Sequence, residues 1–326
     1  MNRNEGLLGG ALSRVGHNKR YIVWFYLLNV ALAWLGAGAF NNQVHEILDH
    51  SLRSDRLLHG FDLGVLVGMF MRPEFGPTRA ASAPAMHFAV LYFLLTALFM
   101  PGVLEGYASN FRLAREEFFR ACGRNLWRFV RLMIVAAIVM GIAAGVLFGI
   151  RSPLLKKAAE STNELLPFYV SVASLCLIFL IMTALRIWFD LAEADVVLSD
   201  QRAVRKSIAS GFRHMWRSLG HLLGAYVLIA LVGIAVMTAG LLAWIKFVPS
   251  ASIVGAVIVS QLTLLLLLTA RFWQRGVAVT YYLQSMVAPI AEKSFAPAEV
   301  APIAAEPAPV AVMPSATIAP AEPAGT

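Results

Sequence analysis

Six long stretches of this sequence contain no Lys, Arg, Asp or Glu, and they constrain the fold more than any other feature. A helix needs about 20 apolar residues to cross the hydrocarbon core of a membrane. Lipid offers the backbone no hydrogen-bond partners, so a spanning segment is expected to be helical. The sequence therefore predicts an all-α membrane protein with six transmembrane helices. The predicted spans are 21–40, 86–104, 132–150, 165–185, 222–245 and 249–270.

Positive charges flank these stretches unevenly. The chain has 326 residues, a net charge of +8 and 27 Lys and Arg residues. Nineteen of the 27 lie before the first stretch, between the second and third, between the fourth and fifth, or at the end of the sixth and beyond it. Because the loops richest in Lys and Arg stay in the cytoplasm, both termini are predicted to be cytoplasmic. A multi-pass protein of the bacterial cytoplasmic (inner) membrane is expected, with no nucleic-acid partner.

The first stretch has a second interpretation, as the core of a cleaved signal peptide, because Ala37-Gly38-Ala39 resembles a cleavage site. However, 20 residues precede this stretch, and it is long for a signal core. An uncleaved membrane anchor is therefore favoured.

Three regions are predicted along the chain. Residues 1–20 form a cytoplasmic amphipathic N-terminus, and 21–287 form the six-span membrane domain with an outward loop at 41–85. Residues 288–326 form an Ala/Pro-rich cytoplasmic tail, whose last 31 residues contain 11 Ala and 7 Pro. Proline at that density removes helix donors, so the tail is predicted to be disordered.

The outward loop carries several residue types that could bind metal, but no zinc signature. No four of them have the spacing of a structural or catalytic zinc site, so no metal site and no cofactor are predicted. The residues concerned are His45, Glu46, Asp49, His50, His59 and Asp62.

Two basic stripes are expected to form helices that lie in the membrane interface, called elbow helices below. Residues spaced three or four apart share one helical face. A helix with one basic and one apolar face places its charges among lipid phosphates. Anionic headgroups are therefore predicted contacts, while a role in fixing topology alone stays open. The stripes are Arg120, Arg124, Arg128 and Arg131, and Arg202, Lys206, Arg213 and Arg217.

A short motif suggests an internal repeat. The sequence from Arg124 to Arg128 (RNLWR) recurs 89 residues later from Arg213 to Arg217 (RHMWR). In both places a predicted span, a basic stretch and another span follow in the same order. A parallel repeat about an axis along the membrane normal is therefore predicted.

Small residues at every fourth position mark the third span. Ala137, Gly141, Gly145 and Gly149 share one helical face, and small residues let another helix approach closely. The third span is therefore predicted to be the central packing helix, with the fifth span as its neighbour.

Ionisable groups near the span ends are the residues of this sequence that could carry chemistry. Arg186 and Asp190 are spaced as an i, i+4 ion pair, and Glu193 and Asp195 follow on the same segment. Paired carboxylates for hydrolysis or a proton relay stay open as an alternative. No catalytic residues are assigned. The two cysteines, Cys122 and Cys176, are predicted to be apolar fillers without a disulfide.

The second basic elbow also carries a family resemblance. The pattern Ala203-x-x-x-Ser207-Ile-Ala-x-Gly211-Phe212-Arg213 resembles that of a broad group of uncharacterised six-span bacterial membrane proteins. Related spans form the membrane half of some glycerophosphodiester phosphodiesterases. The resemblance covers about 19–286, and the catalytic domain of those longer relatives has no counterpart, so it implies no enzymatic activity.

A non-enzymatic function is therefore expected. The first expectation is a lipid-associated scaffold or accessory subunit, with anionic lipids and another membrane protein as partners. A small transporter with its pathway between the repeats is the alternative, and a membrane-embedded lipid-modifying enzyme is the third.

Overall fold

A computed structural model describes residues 6–48, 83–109, 112–161, 163, 165–199, 203–249 and 252–287. These residues form eight α-helices and no strand, and a short π-helical turn, Leu283–Val287, ends the described part of the chain. The helices are α1 Leu7–His17, α2 Arg20–Leu48, α3 Ala83–Ala108, α4 Arg115–Ala159, α5 Leu166–Leu198, α6 Val204–Arg217, α7 Leu219–Phe247 and α8 Ile253–Tyr282.

Five of these helices, α3, α4, α5, α7 and α8, are long and apolar enough to cross a membrane. The predicted all-α membrane fold is confirmed. The shorter apolar part of α2, Arg20–Gly36, lies where the first of six spans is expected, and a sixth span stays a prediction.

The helix α2 continues to Leu48, beyond the end of the apolar stretch at residue 40, and the outward loop at 41–85 stays a prediction. A helix does not have to end where its apolar stretch ends. The side chains of the six possible metal ligands of this loop lie outside the described residues, as does the tail.

Buried side chains concentrate at one end of the helix bundle, called the packed end below. It contains the ends of α3, α5 and α8, the beginnings of α2, α4 and α7, and the whole of α1 and α6. Its largest fully buried side chains include Tyr21, Tyr107 and Tyr226. Toward the other end, apolar side chains such as Ile142, Ile234 and Leu262 are more than half exposed. This is expected of helices whose outer surface is in contact with acyl chains.

The row of small residues on α4 does not pack inside the chain. A Cβ atom added at Gly141, Gly145 or Gly149 would meet no described atom within 4 Å. The main neighbours of α4 are α3 and α5, not α7. The prediction that this row is the central seam is therefore wrong for the described part of the chain. Spacing places Ala137 and the glycines on one face, but it does not say toward which neighbour that face points.

The two predicted elbow helices differ in form. The first is continuous with its span, since α4 runs for 45 residues from Arg115 to Ala159 without a break. The second is a separate helix, because the backbone leaves the helical conformation at Ser218 (φ −125°, ψ 25°) before α7 begins. Of the two predicted elbow helices, only α6 is a separate helix, whereas the first basic stripe is the beginning of α4.

The N-terminal helix α1 packs in the same way as α6, which the sequence did not suggest. Trp273 at the end of α8 donates its indole N–H to the carbonyl oxygen of Leu8 in α1 (3.1 Å). Trp188 at the end of α5 donates its indole N–H to the carbonyl oxygen of Ile208 in α6 (2.8 Å). The buried positions also correspond, since Leu7, Ala11 and Val15 in α1 lie 200 positions before Ser207, Gly211 and Met215 in α6.

The beginning of α4 contacts the end of α3 in a related way. Cys122 lies 89 positions before Gly211, and its Sγ atom is 3.9 Å from the carbonyl oxygen of Phe99. Phe99 in turn lies 89 positions before Trp188, whose carbonyl oxygen adjoins Gly211. In these three places α4 packs on α3, α6 on α5 and α1 on α8. The predicted parallel repeat about an axis along the membrane normal stays a prediction.

Candidate functional site

The basic helix α6 is fixed to the end of α5 by a narrow buried stripe. Ser207, Gly211 and Met215, spaced by four residues, face the bundle. A Cβ atom added at Gly211 would lie 3.0 Å from both the backbone nitrogen of Ala192 and the carbonyl oxygen of Trp188. A side chain here would press against the backbone of α5, so glycine suits this close approach of the two helices. The remainder of α6 is therefore free to present its side chains outward.

The outward face of α6 carries cations beside large aromatic side chains. Phe212 is 44% exposed and Trp216 is 68% exposed, and their rings stack with centroids 6.0 Å apart. Aromatic side chains with this exposure are typical of the membrane interface. Arg202 lies outside the described residues. The exposed cations are Arg205, Lys206, Arg213 and Arg217.

A neighbouring imidazole on α6 does not add to this positive charge. Burial is the main reason that the pKa of His214 is lowered from its ordinary value. The positive charges of Arg213 and Arg217 also lower this pKa, while the negative charge of Asp195 partly opposes them. The imidazole is therefore neutral at pH 7. The charge of the face comes from its arginines and lysine alone.

The first basic stripe, at the beginning of α4, is partly engaged within the chain. Arg124 forms an ion pair with Glu105 at 3.1 Å, and the guanidinium of Arg131 lies over the ring of Trp127, 5.1 Å from its centroid. Arg120 is exposed and Arg128 is half-buried. Trp127, the counterpart of Trp216, is 65% exposed. This stripe therefore offers fewer free cations than α6, although both tryptophans face outward.

A cluster of buried charges lies behind α6, at the ends of α5 and α8. Asp190 is 3.6 Å from Arg186, which confirms the predicted i, i+4 ion pair, and it accepts a hydrogen bond of 2.9 Å from the hydroxyl of Tyr226. Glu193 is 3.9 Å from Arg275, and both side chains are 9% exposed. The partnership of Glu193 with an arginine 82 positions later was not predicted. The carboxylates serve here as partners of cations and of a tyrosine hydroxyl.

The neighbouring acid Asp195 also has a partner, because it accepts a hydrogen bond of 3.0 Å from the hydroxyl of Tyr282. Each of the three acids at the end of α5 therefore faces a cation or a hydroxyl group. The three carboxylates therefore belong to structural pairs at the packed end.

A cavity of about 180 Å³ opens beside the charge cluster, between α7, α8 and the end of α5. Its polar lining consists of Arg186, Arg271 and Gln274. Asn29, Gln261 and Glu105 do not line it: Asn29 donates to the carbonyl oxygen of Phe25, Gln261 accepts from Tyr26, and Glu105 pairs with Arg124.

The fold and this site define an all-α, multi-pass membrane protein with a basic, aromatic surface at its packed end. Among known proteins, no family model, no curated protein and no solved structure matches the chain.

Proposed function

We propose that this protein is a non-enzymatic, lipid-associated scaffold or accessory subunit of the bacterial inner membrane, and that its basic elbow helices bind anionic headgroups. The observation that carries the proposal is the outward face of α6, where four exposed cations stand beside Phe212 and Trp216. The aromatic rings suit the boundary between acyl chains and headgroups, and the cations suit the phosphates.

Electrostatic attraction is expected to strengthen the binding of anionic lipid to the outward face of α6. A Lys or Arg near an anionic membrane surface contributes about 1 kcal/mol. The close contact at Gly211 holds the backbone of α6 on α5, so the positions from which its cations extend are fixed before lipid binds. Pre-organisation reduces the entropy lost on binding. An anionic lipid is therefore expected to stay longer at α6 than a zwitterionic lipid.

The first prediction removes charge from α6. The triple variant Arg205→Gln, Lys206→Gln, Arg213→Gln should lower the preference for anionic lipid by about fivefold for each of these cations that contacts a headgroup, because each cation contributes about 1 kcal/mol. The preference is measured in proteoliposomes by electron spin resonance, as the relative association of spin-labelled phosphatidylglycerol and phosphatidylcholine. The effect should shrink as salt screens the charges.

The matched control removes three exposed cations from the other end of the bundle, with Lys156→Gln, Lys157→Gln and Lys246→Gln. Its lipid preference should stay close to that of the unmodified protein. An equal fall in both triple variants would contradict a specific role for α6 and leave net charge as the cause.

The second prediction concerns sidedness, which rests on the 19 of 27 cations assigned to one side. Single cysteines at Ser199 and Ser161, in a Cys122→Ser, Cys176→Ser background, are treated with a membrane-impermeant maleimide in intact cells. Position 161 should be labelled at once, and position 199 only after the membrane is opened. The reverse pattern would place the packed end, with α6, outside the cytoplasm and overturn the proposed orientation.

A further inference from the structure

The cavity beside the buried charges differs from the surface of α6, because most of its wall is apolar. Ile229, Ala230 and Gly233 of α7 form one side, and Leu267 and Ala270 of α8 form the other. The polar lining, Arg186, Arg271 and Gln274, comes from the ends of α5 and α8. A ligand that fills this space must therefore combine an apolar part with a group that accepts hydrogen bonds.

Positive charge exceeds negative charge around the cavity. Asp190 is paired with Arg186 and also accepts from Tyr226, while Glu193 faces Arg275. Arg271 is exposed, and among the described residues no carboxylate lies within ion-pair distance of it. The Nε atom of Arg186 is buried and lies 3.6 Å from the carboxylate of Asp190, so this guanidinium is already paired. Arg271 is therefore the cation that the cavity offers to an anion.

The position of the cavity identifies the kind of anion. Arg271 directly follows a helical segment whose exposed side chains, such as Leu262 and Leu266, are apolar and expected to face acyl chains. Two residues farther on, Trp273 contacts α1 at the packed end. Arg271 therefore lies at the boundary where the headgroups of one leaflet are expected. A volume of about 180 Å³ holds a phosphodiester with part of its glycerol, but not the acyl chains.

We propose that this cavity binds the anionic head of one membrane phospholipid. Arg271 and Gln274 donate to its phosphate, and the acyl chains extend along the apolar faces of α7 and α8. Guanidinium groups suit phosphate because their planar N–H groups bind two oxygens at once. The inference deepens the proposed function and rests on it, since it takes anionic lipid as the partner and adds one defined site that is separate from the surface of α6.

The test counts lipids bound to the full-length protein by native mass spectrometry in detergent. Phosphatidylglycerol, phosphatidylcholine and inorganic phosphate are added in separate titrations. The unmodified protein should bind one phosphatidylglycerol molecule more tightly than any further one, with little corresponding binding of phosphatidylcholine. Arg271→Gln should weaken this first binding by about tenfold, because a hydrogen bond to a charged group is lost.

A second variant blocks the cavity without changing its charge. A Cβ atom at Gly233 would meet only Leu267, at 3.8 Å, so Gly233→Leu is accommodated and should fill the apolar part. It should abolish the first binding event, whereas Gly224→Leu on the same helix, at a position with no atom within 4 Å, should not. If Gly233→Leu fails to fold, Arg271→Gln decides the question.

Two outcomes would overturn the inference. Retention of the tight phosphatidylglycerol in Arg271→Gln would exclude the cavity, and displacement of that lipid by inorganic phosphate would identify a site for free phosphate. The α6 triple variant separates this inference from the proposed function. If the cavity alone is wrong, the α6 variant loses its lipid preference while Arg271→Gln behaves as the unmodified protein. If the α6 surface alone is wrong, the opposite pattern is expected.

Discussion

Replacing Asp190 with alanine is expected to lower the free energy of unfolding by about 3 kcal/mol, because it leaves a largely buried cation without its partner. Asp190 is 4% exposed and pairs with Arg186, which is 24% exposed, and it is also the acceptor for the buried hydroxyl of Tyr226. The partial exposure of Arg186 places the effect at the lower end of the range for buried pairs. Unfolding by sodium dodecyl sulfate in mixed micelles measures the loss.

The matched control removes both charges. Arg186→Met in the Asp190→Ala background should recover about 1 to 2 kcal/mol, because no buried charge remains uncompensated. The rest of the loss belongs to Tyr226, whose hydroxyl still lacks an acceptor. If single and double variants are equally unstable, the ion pair is not the source of the effect, and the packing of α5 against α7 would explain it instead.

Replacing Gly211 with valine is the second large effect, with an expected loss of about 3 kcal/mol from overpacking. The new Cβ atom would lie 3.0 Å from the backbone of Trp188 and of Ala192, and backbone atoms cannot rotate away as a side chain can. The helices α5 and α6 must separate, which also breaks the bond from Trp188 to Ile208. Thermal unfolding in detergent should shift to lower temperature, and trypsin should cleave faster after Arg205 and Arg213.

Gly224→Val in α7 is the control for this variant. Gly224 is also a helical glycine, but a Cβ atom there meets nothing within 4 Å. Its unfolding temperature and rate of proteolysis should stay close to those of the unmodified protein. Similar losses in both variants would mean that valine destabilises these helices in general. The close contact between α5 and α6 would then not explain the loss of stability in Gly211→Val.

The helices were predictable from the sequence because uncharged apolar stretches leave the backbone few choices in a membrane. The pair of Arg186 and Asp190 was predictable for a similar reason, since both lie on one helix at a fixed spacing. The contact between Glu193 and Arg275 was not, because it depends on how far α5 and α8 slide along each other. Local spacing does not determine that register.

The direction of helix faces also required the structure. The glycine row of α4 and the buried stripe of α6 both show spacings of four, yet Gly145 faces open space and Gly211 faces backbone. The role of α1 was hidden because it lacks the Trp-containing motif that revealed the other elbows. Its partner tryptophan lies on α8, at the opposite end of the sequence. The neighbour that each helix face contacts depends on long-range packing, which local sequence patterns do not determine.

The pairing of α1 with α8 has a consequence for biosynthesis. Leu8 and Trp273 are separated by 265 positions, so α1 binds to a helix that is synthesised long after it. At typical rates of synthesis, α1 waits for its partner for on the order of tens of seconds. During this time its stripe of Leu7, Ala11 and Val15 has no protein surface to cover it, and the membrane interface is the natural place for such a helix to rest. A chain whose synthesis stops before α8 therefore keeps α1 undocked.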